Sequence, residues 1–181
     1  MDEKRRRFDA EVLPHLDAAY RFARWLTRSS SDADDVAQEA MLRALRGFET
    51  LRGSDVKAWL FAIVRNCHAT AFTQAQRRAF VPLPEEAEAQ DADAMSASTP
   101  DPESFAIRAD DQRTLIRLMS TLPEEQREAL VLKELEDLSY RDIAAVTQVP
   151  IGTVMSRLAR ARAALKARAQ EDIAGGAHGL P

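Results

Sequence analysis

Residues 139–165 read SYRDIAAVTQVPIGTVMSRLARARAAL, which parses as two helices joined by a tight turn. Ser139 can satisfy the free amides at a helix start, and Asp142, three residues on, can reach back to the cap. Ile143, Ala144 and Val146 face inward on the first helix, and the small Ala144 lets a second helix approach closely. Val149-Pro150 ends that helix and opens the next, because proline disfavours helical geometry in the preceding residue yet suits a first turn. Beyond it, Val154, Leu158 and Leu165 keep to an inner face.

The opposite side of the second helix carries the distinctive chemistry. Thr153, Ser156, Arg157 and Arg160 lie there near the helix start, and residues 151–165 hold arginines without one carboxylate in a chain of net charge −4. Laid in a major groove, such a helix can set an arginine's two parallel donors on guanine O6 and N7, with short hydroxyls near phosphates or base edges. Arg162, Lys166 and Arg168 extend the positive stripe and suit phosphate contacts, which position without reading sequence. An ordinary helical hairpin with a solvated basic face is the competing reading. The coincidence of cap, proline turn, small residue and arginine cluster favours DNA binding.

Working outward, 181 residues, 45% of them hydrophobic, suffice for two small domains, since domains commonly run about 50–200 residues. Cys67 is the one cysteine, which excludes an intrachain disulfide or a Cys-rich zinc site and suits a small residue buried on a helix. The N-terminus is basic but lacks a following apolar run, and no segment approaches the about 20 apolar residues of a membrane span. A cytoplasmic protein without membrane insertion is expected. Asp32, Asp34 and Asp35 lack a convergent ligand set or a nearby His, so no metal is expected, nor any cofactor. No nucleophile–base pair or phosphate loop is present, which argues against an enzyme.

From about Phe8 to Arg78 the spacing is helical. Val12, Leu13, Leu16, Ala19, Tyr20, Ala23 and Leu26 predict one amphipathic helix. Ser31 is the predicted cap of a second, with Asp32, Asp34 and Asp35 at its positive end and Val36, Met41, Ala44 and Leu45 along its core face. Ser54 is the predicted cap of a third, whose buried stripe is Trp59, Leu60, Ile63 and Val64 and which runs on to Arg77 and Arg78. Between Ala79 and Asp110 periodicity gives way to Pro, Ser, Ala and acidic residues, the composition of a solvated linker that lets its flanks take up a separation set by a partner, or of a solubilising spacer. Helical pattern resumes with Asp101 as cap and Pro102 behind it, strengthens at Leu115, Ile116, Leu118, Met119 and Leu122, and restarts after Thr121 and Glu124, which have capping-box spacing. Leu130, Val131 and Leu135 are the predicted core face there. The expected fold is all-α: two small helical domains, 8–78 and 111–170, joined by a flexible acidic linker at 79–110, with a helix-turn-helix in the second.

The segments LPEEQREALVL, SYRDIAAV and PIGTVMSRLARARAAL resemble the −35-binding region 4 domain of extracytoplasmic-function (ECF) sigma factors, of the sigma-70 family. DADDVAQEAMLRAL and AWLFAIVRN resemble the region 2 domain of the same family, in the same order and at the expected separation. The resemblance covers almost the whole chain apart from the linker and the two ends. It implies a subunit that binds core RNA polymerase, through the β′ coiled coil and the β flap, and directs it to promoter DNA, probed at the −10 and −35 elements and controlled by an anti-sigma factor.

By residue, the resemblance places Asp35, Gln38 and Glu39 on the polymerase, one helical face offering two carboxylates and an amide to a basic partner. It places Arg52, in the LRGSD loop that captures a flipped base, together with Lys57, Arg65, Asn66, Arg77 and Arg78, at the −10 strand, where binding of the extruded base must offset about a few kcal/mol of unstacking. Thr153, Ser156, Arg157, Arg160 and Arg162 fall to the −35 element. Trp59 shares a stripe with Ile63 and reads as core. Met155 stands where relatives often carry Lys or Arg, and CHATAFTQAQRR has few charges before its last two residues. Two other functions compete: a sigma-like decoy that sequesters an anti-sigma factor, which need not keep the DNA-reading arginines, and a helix-turn-helix repressor, which leaves DADDVAQEA and AWLFAIVRN without a purpose.

Overall fold

A computed structural model describes residues 2–51, 55–79 and 113–176, and every described element is helical. The predicted linker, the cap at Asp101 with Pro102, Ser54 and Arg52 lie outside the described residues.

The N-terminal region begins with α1 (Asp2–Glu11), which the apolar spacing did not predict. Pro14 then breaks the expected single helix: a short 3-10 turn at Leu13–His15 separates α1 from α2 (Leu16–Thr27). The buried face of α2 is consequently Ala18, Ala19, Phe22, Ala23 and Leu26, while Leu13, Leu16 and Tyr20 face solvent. Helix α3 (Ser30–Gly47) is capped by Ser29, whose hydroxyl accepts from the Asp32 amide, two residues before the predicted Ser31. Asp55 caps α4 (Val56–Ala79), its Oδ1 accepting from the Lys57 and Ala58 amides at 2.8 and 3.1 Å, one residue after the predicted position.

Helices α2, α3 and α4 pack mutually. The alanines at 33, 37, 40 and 44 give α3 a low-profile buried face, which lets neighbouring helix axes come close. Phe22 and Phe61 meet at 5.1 Å between ring centroids, and Phe8 packs edge-on against Phe48 at 5.5 Å, anchoring α1 to the bundle. Leu60 and Val64 are buried as predicted, whereas Leu45 is exposed. Cys67 is a buried free thiol whose pKa burial raises, consistent with a packing role.

The C-terminal region comprises α5 (residues 113–120), α6 (Glu124–Leu130), α7 (Tyr140–Thr147) and α8 (Ile151–Gly176). The capping box at Thr121 and Glu124 does not form. Pro123 occupies the cap without a side-chain bond, and the Thr121 hydroxyl donates instead to the Leu118 carbonyl at 2.6 Å. Helix α6 runs directly into a π turn at Val131–Leu135, marked by the Glu136 amide bonding the Val131 carbonyl at 3.1 Å. The wider turn keeps Val131 and Leu132 buried, exposes Leu135 and leaves Glu136 buried. Helices α6 and α7 both pack on α8, around Leu130, Ile143, Val146, Val154, Leu158 and Ala161.

The two regions touch. Helix α4 lies against α7, and α2 meets α6 and the π turn, so one apolar cluster runs through both halves.

Candidate nucleic-acid and polymerase interface

The helix-turn-helix forms as its residues dictate. The Ser139 hydroxyl accepts from the Asp142 amide at 3.1 Å and donates to the Asp142 carboxylate, closing the cap of α7 reciprocally. Gln148 ends α7 in the left-handed region at φ 56°, and the Pro150 carbonyl accepts from the Thr153 and Val154 amides to start α8. Val154 and Leu158 are fully buried and Leu165 partly so, which turns the opposite face of α8 to solvent.

The five −35 candidates divide on that helix. Arg160 and Arg162 are exposed, Thr153 and Ser156 are half-buried, and the Ser156 hydroxyl donates to the Thr153 carbonyl at 2.9 Å. Arg162 grips Glu134 through Nε and Nη2 at 3.1 and 2.6 Å. Arg157 turns inward: its side chain is 12% exposed, Nη2 meets Glu125 at 2.8 Å and Nη1 is buried without an acceptor among the described residues. Met155 is on the open face at 53% exposure. Lys166 is also exposed, and Arg168 donates to the Thr121 hydroxyl.

The −10 candidates other than Arg52 lie along α4. Asn66 and Arg77 face solvent, Arg78 extends the helix backbone, and Phe72 stands exposed on the same helix with its ring 6.3 Å from His68. Trp59 is half-buried against the core, as its stripe predicts. Lys57 and Arg65 are both engaged across the halves: Lys57 Nζ lies 3.0 Å from Glu136 Oε2, and Arg65 Nε lies 2.6 Å from Glu128 Oε1. Burial raises the Glu128 pKa, with Arg65 working against it through charge and hydrogen bond. Burial likewise lowers the His68 pKa, with Glu124 opposing and Arg65 and Arg127 reinforcing.

The polymerase candidates share the outer face of α3, where Asp35 and Gln38 are exposed and Glu39 accepts from Arg43 at 2.6 Å. Leu42 and Leu45 extend that face at helical spacing and are exposed, although periodicity assigns Leu45 to the core. A second exposed apolar patch lies in the C-terminal region, a shallow pocket lined by Leu115, Met119, Leu130, Leu135 and Leu165 and rimmed by Glu134 and Arg162. Among the described residues no group of acidic, His or Cys side chains could hold a metal, and no helix is long and apolar enough to cross a membrane.

The family model for sigma-70 region 2 matches residues 12–78, and that for sigma-70 region 4 matches residues 112–165. The chain is 35% identical over 167 residues to the RNA polymerase sigma-H factor of Pseudomonas aeruginosa, covering 89% of this chain and 85% of the relative. It is 36% identical over 153 residues to the ECF RNA polymerase sigma-E factor of Haemophilus influenzae, covering 80% and 79%. Among solved structures it resembles the sigma factor RpoE, in complex with the anti-sigma factor NepR from Bartonella quintana, with TM-score 0.66 and 30% identity over 88% of this chain and 94% of that one.

A helical protein with these two regions in this order is a promoter-recognition subunit of RNA polymerase. The chain belongs to the sigma-70 family of RNA polymerase sigma factors, within its ECF group. It therefore acts with core RNA polymerase in promoter-directed initiation and is not itself an enzyme, catalysis being the polymerase's. The decoy and repressor readings give way to this one, since the relatives matched over most of their length are RNA polymerase sigma factors.

Proposed function

We propose a division of labour among three helices. Helix α8 reads the −35 element, with Arg160 as the leading base contact and Thr153 and Ser156 beside it; Arg162 contributes after exchanging Glu134 for a phosphate. The observation that carries this reading is the capped α7–turn–α8 unit, which presents Arg160 on the face opposite Val154 and Leu158. Arg157 takes part only by leaving Glu125. Helix α4 follows the −10 strand through Lys57, Arg65, Asn66, Arg77 and Arg78, with Arg52 in the loop before it. The units involved are residues 8–78 and 111–170, with 79–110 as linker.

The outer face of α3 docks on the polymerase β′ coiled coil. Asp35 and Gln38 supply polar complementarity, and Leu42 and Leu45 supply apolar area that would otherwise stay wet. The pocket at Leu115, Leu130 and Leu135 receives an apolar segment of the β flap. An anti-sigma factor is a further partner, a reading supported by the likeness to the sigma factor solved with one.

Run-off transcription with core polymerase, on a promoter selected from a random library, tests the assignment. Arg160→Ala is expected to reduce initiation while leaving core binding intact, and Asp35→Ala with Leu42→Ala to weaken core binding and lower initiation with it. Equal loss of both activities in both variants contradicts the division.

A further inference from the structure

Helix α8 opens with Ile151, Gly152, Thr153, Val154, Met155 and Ser156, none of them charged, and the first cation after them, Arg157, is turned toward Glu125. In a helix laid in the major groove it is the N-terminal residues that meet base edges. This segment brings them no guanidinium, carboxylate or amide. Val154 is buried, and the Ser156 hydroxyl already donates to the Thr153 carbonyl at 2.9 Å. What the helix start mainly offers is apolar: Ile151 and Met155, one turn apart, at 46% and 53% exposure. Leu115 and Leu135, the other large exposed apolar side chains among the described residues of the C-terminal region, line the pocket assigned to the polymerase, and Ile151 and Met155 do not.

Gly152 shapes the space beside them. It lies within α8, and a Cβ built on it would meet nothing within 4 Å beyond its chain neighbours and its own helix backbone. No packing inside the protein calls for glycine there, and alanine would favour the helix. The missing side chain leaves a notch on the surface. Met155 and Ser156, three and four residues on, border it, with Ile151 alongside. The 5-methyl group of thymine is the apolar feature that base edges display in the major groove, and a methionine side chain adapts readily to such a group.

We propose, on the assignment of α8 to the −35 element, that the notch at Gly152 takes the 5-methyl group of a thymine in that element, with Met155 as the main apolar contact and Ile151 behind it. Arg160 stands five residues beyond Met155, about 7.5 Å along the axis, so the two side chains address different base pairs.

The test measures holoenzyme affinity for a fluorescein-labelled promoter duplex carrying a selected −35 element, each of whose thymines is replaced in turn by deoxyuridine. That replacement removes the methyl group and nothing else. One such duplex is expected to bind the parent protein about fourfold more weakly than the thymine duplex. Met155→Ala should bind the thymine duplex more weakly by a similar factor and no longer distinguish thymine from uracil there, whereas Met155→Leu keeps the distinction. Gly152→Ala puts the protein's own methyl in the notch. It should lose the distinction in the same way, with a melting midpoint no lower than the parent's. A selected element without thymine, equal affinity at every uracil, or a thymine preference kept in Met155→Ala overturns the contact. Equal binding of matched and scrambled −35 sequences by the parent removes α8 as the reader and the notch with it. Strong preference for the matched sequence without a uracil effect removes the notch alone.

Discussion

Helices α4 and α8 both look like basic DNA-binding helices on paper, and the fold treats their cations differently. On α8 the open face presents Arg160 to solvent while Val154 and Leu158 are buried behind it. On α4 the cations nearest the helix start, Lys57 and Arg65, are paired across the molecule, and among the described candidate side chains exposure returns at Asn66 and Arg77. The same contrast recurs inside α8, where Arg157 is turned toward Glu125 three residues before the exposed Arg160. A cation becomes a nucleic-acid contact only when its competing carboxylates are known. Helix position alone does not supply that.

The comparison can be broken most forcefully through the scaffold. Leu158→Ala should cost about 2–5 kcal/mol, because a fully buried leucine at the α8 seam leaves a cavity, whereas Leu45→Ala on the exposed face of α3 should leave the melting midpoint nearly unchanged. Chemical denaturation of both variants checks this, and similar losses would deny that Leu45 is a surface residue. Next comes the pair of arginines. Arg160→Ala should lower discrimination of a matched −35 element by about 1–3 kcal/mol without changing stability. Arg157→Ala should lose about 1–2 kcal/mol of stability with its ion pair. Thermal melts beside holoenzyme binding separate the two effects.

Smaller effects sharpen the account of the caps. Ser139→Ala should cost about 1 kcal/mol, since its hydroxyl is bonded in the cap of α7, and Thr121→Ala should cost α6 less because Thr121 makes no cap bond. His68 gives the smallest effect. Its folded pKa is depressed, so the fold prefers neutral imidazole while the unfolded chain protonates first. Stability should therefore fall as pH drops from neutral through the ordinary histidine range, and His68→Gln should flatten that slope in pH-dependent melts.

Much of this architecture is legible in the amino-acid order where the signal is local. Ser139 and Asp142 close a cap within one turn, Pro150 fixes a boundary by sterics, and the Val154–Leu158 stripe repeats at helical period. The illegible parts depend on distant partners. Leu45 has the spacing of a core residue, but the alanine face of α3 is the one buried. The π turn changes the period after Val131, so Leu135 emerges and Glu136 is covered without a marker in its own neighbourhood. The inward turn of Arg157 is set by Glu125, on another helix. Among the site residues the helix and its face could be read, and the occupancy of each side chain could not.

The central claim, that α8 reads the −35 element through Arg160, is tested most directly by holoenzyme affinity for two promoters differing only in a matched or scrambled −35 sequence. The parent protein should strongly prefer the matched promoter, and Arg160→Ala should collapse that ratio while its affinity for the scrambled promoter stays nearly constant. An equal loss on both promoters, with the ratio preserved, would contradict direct readout by Arg160.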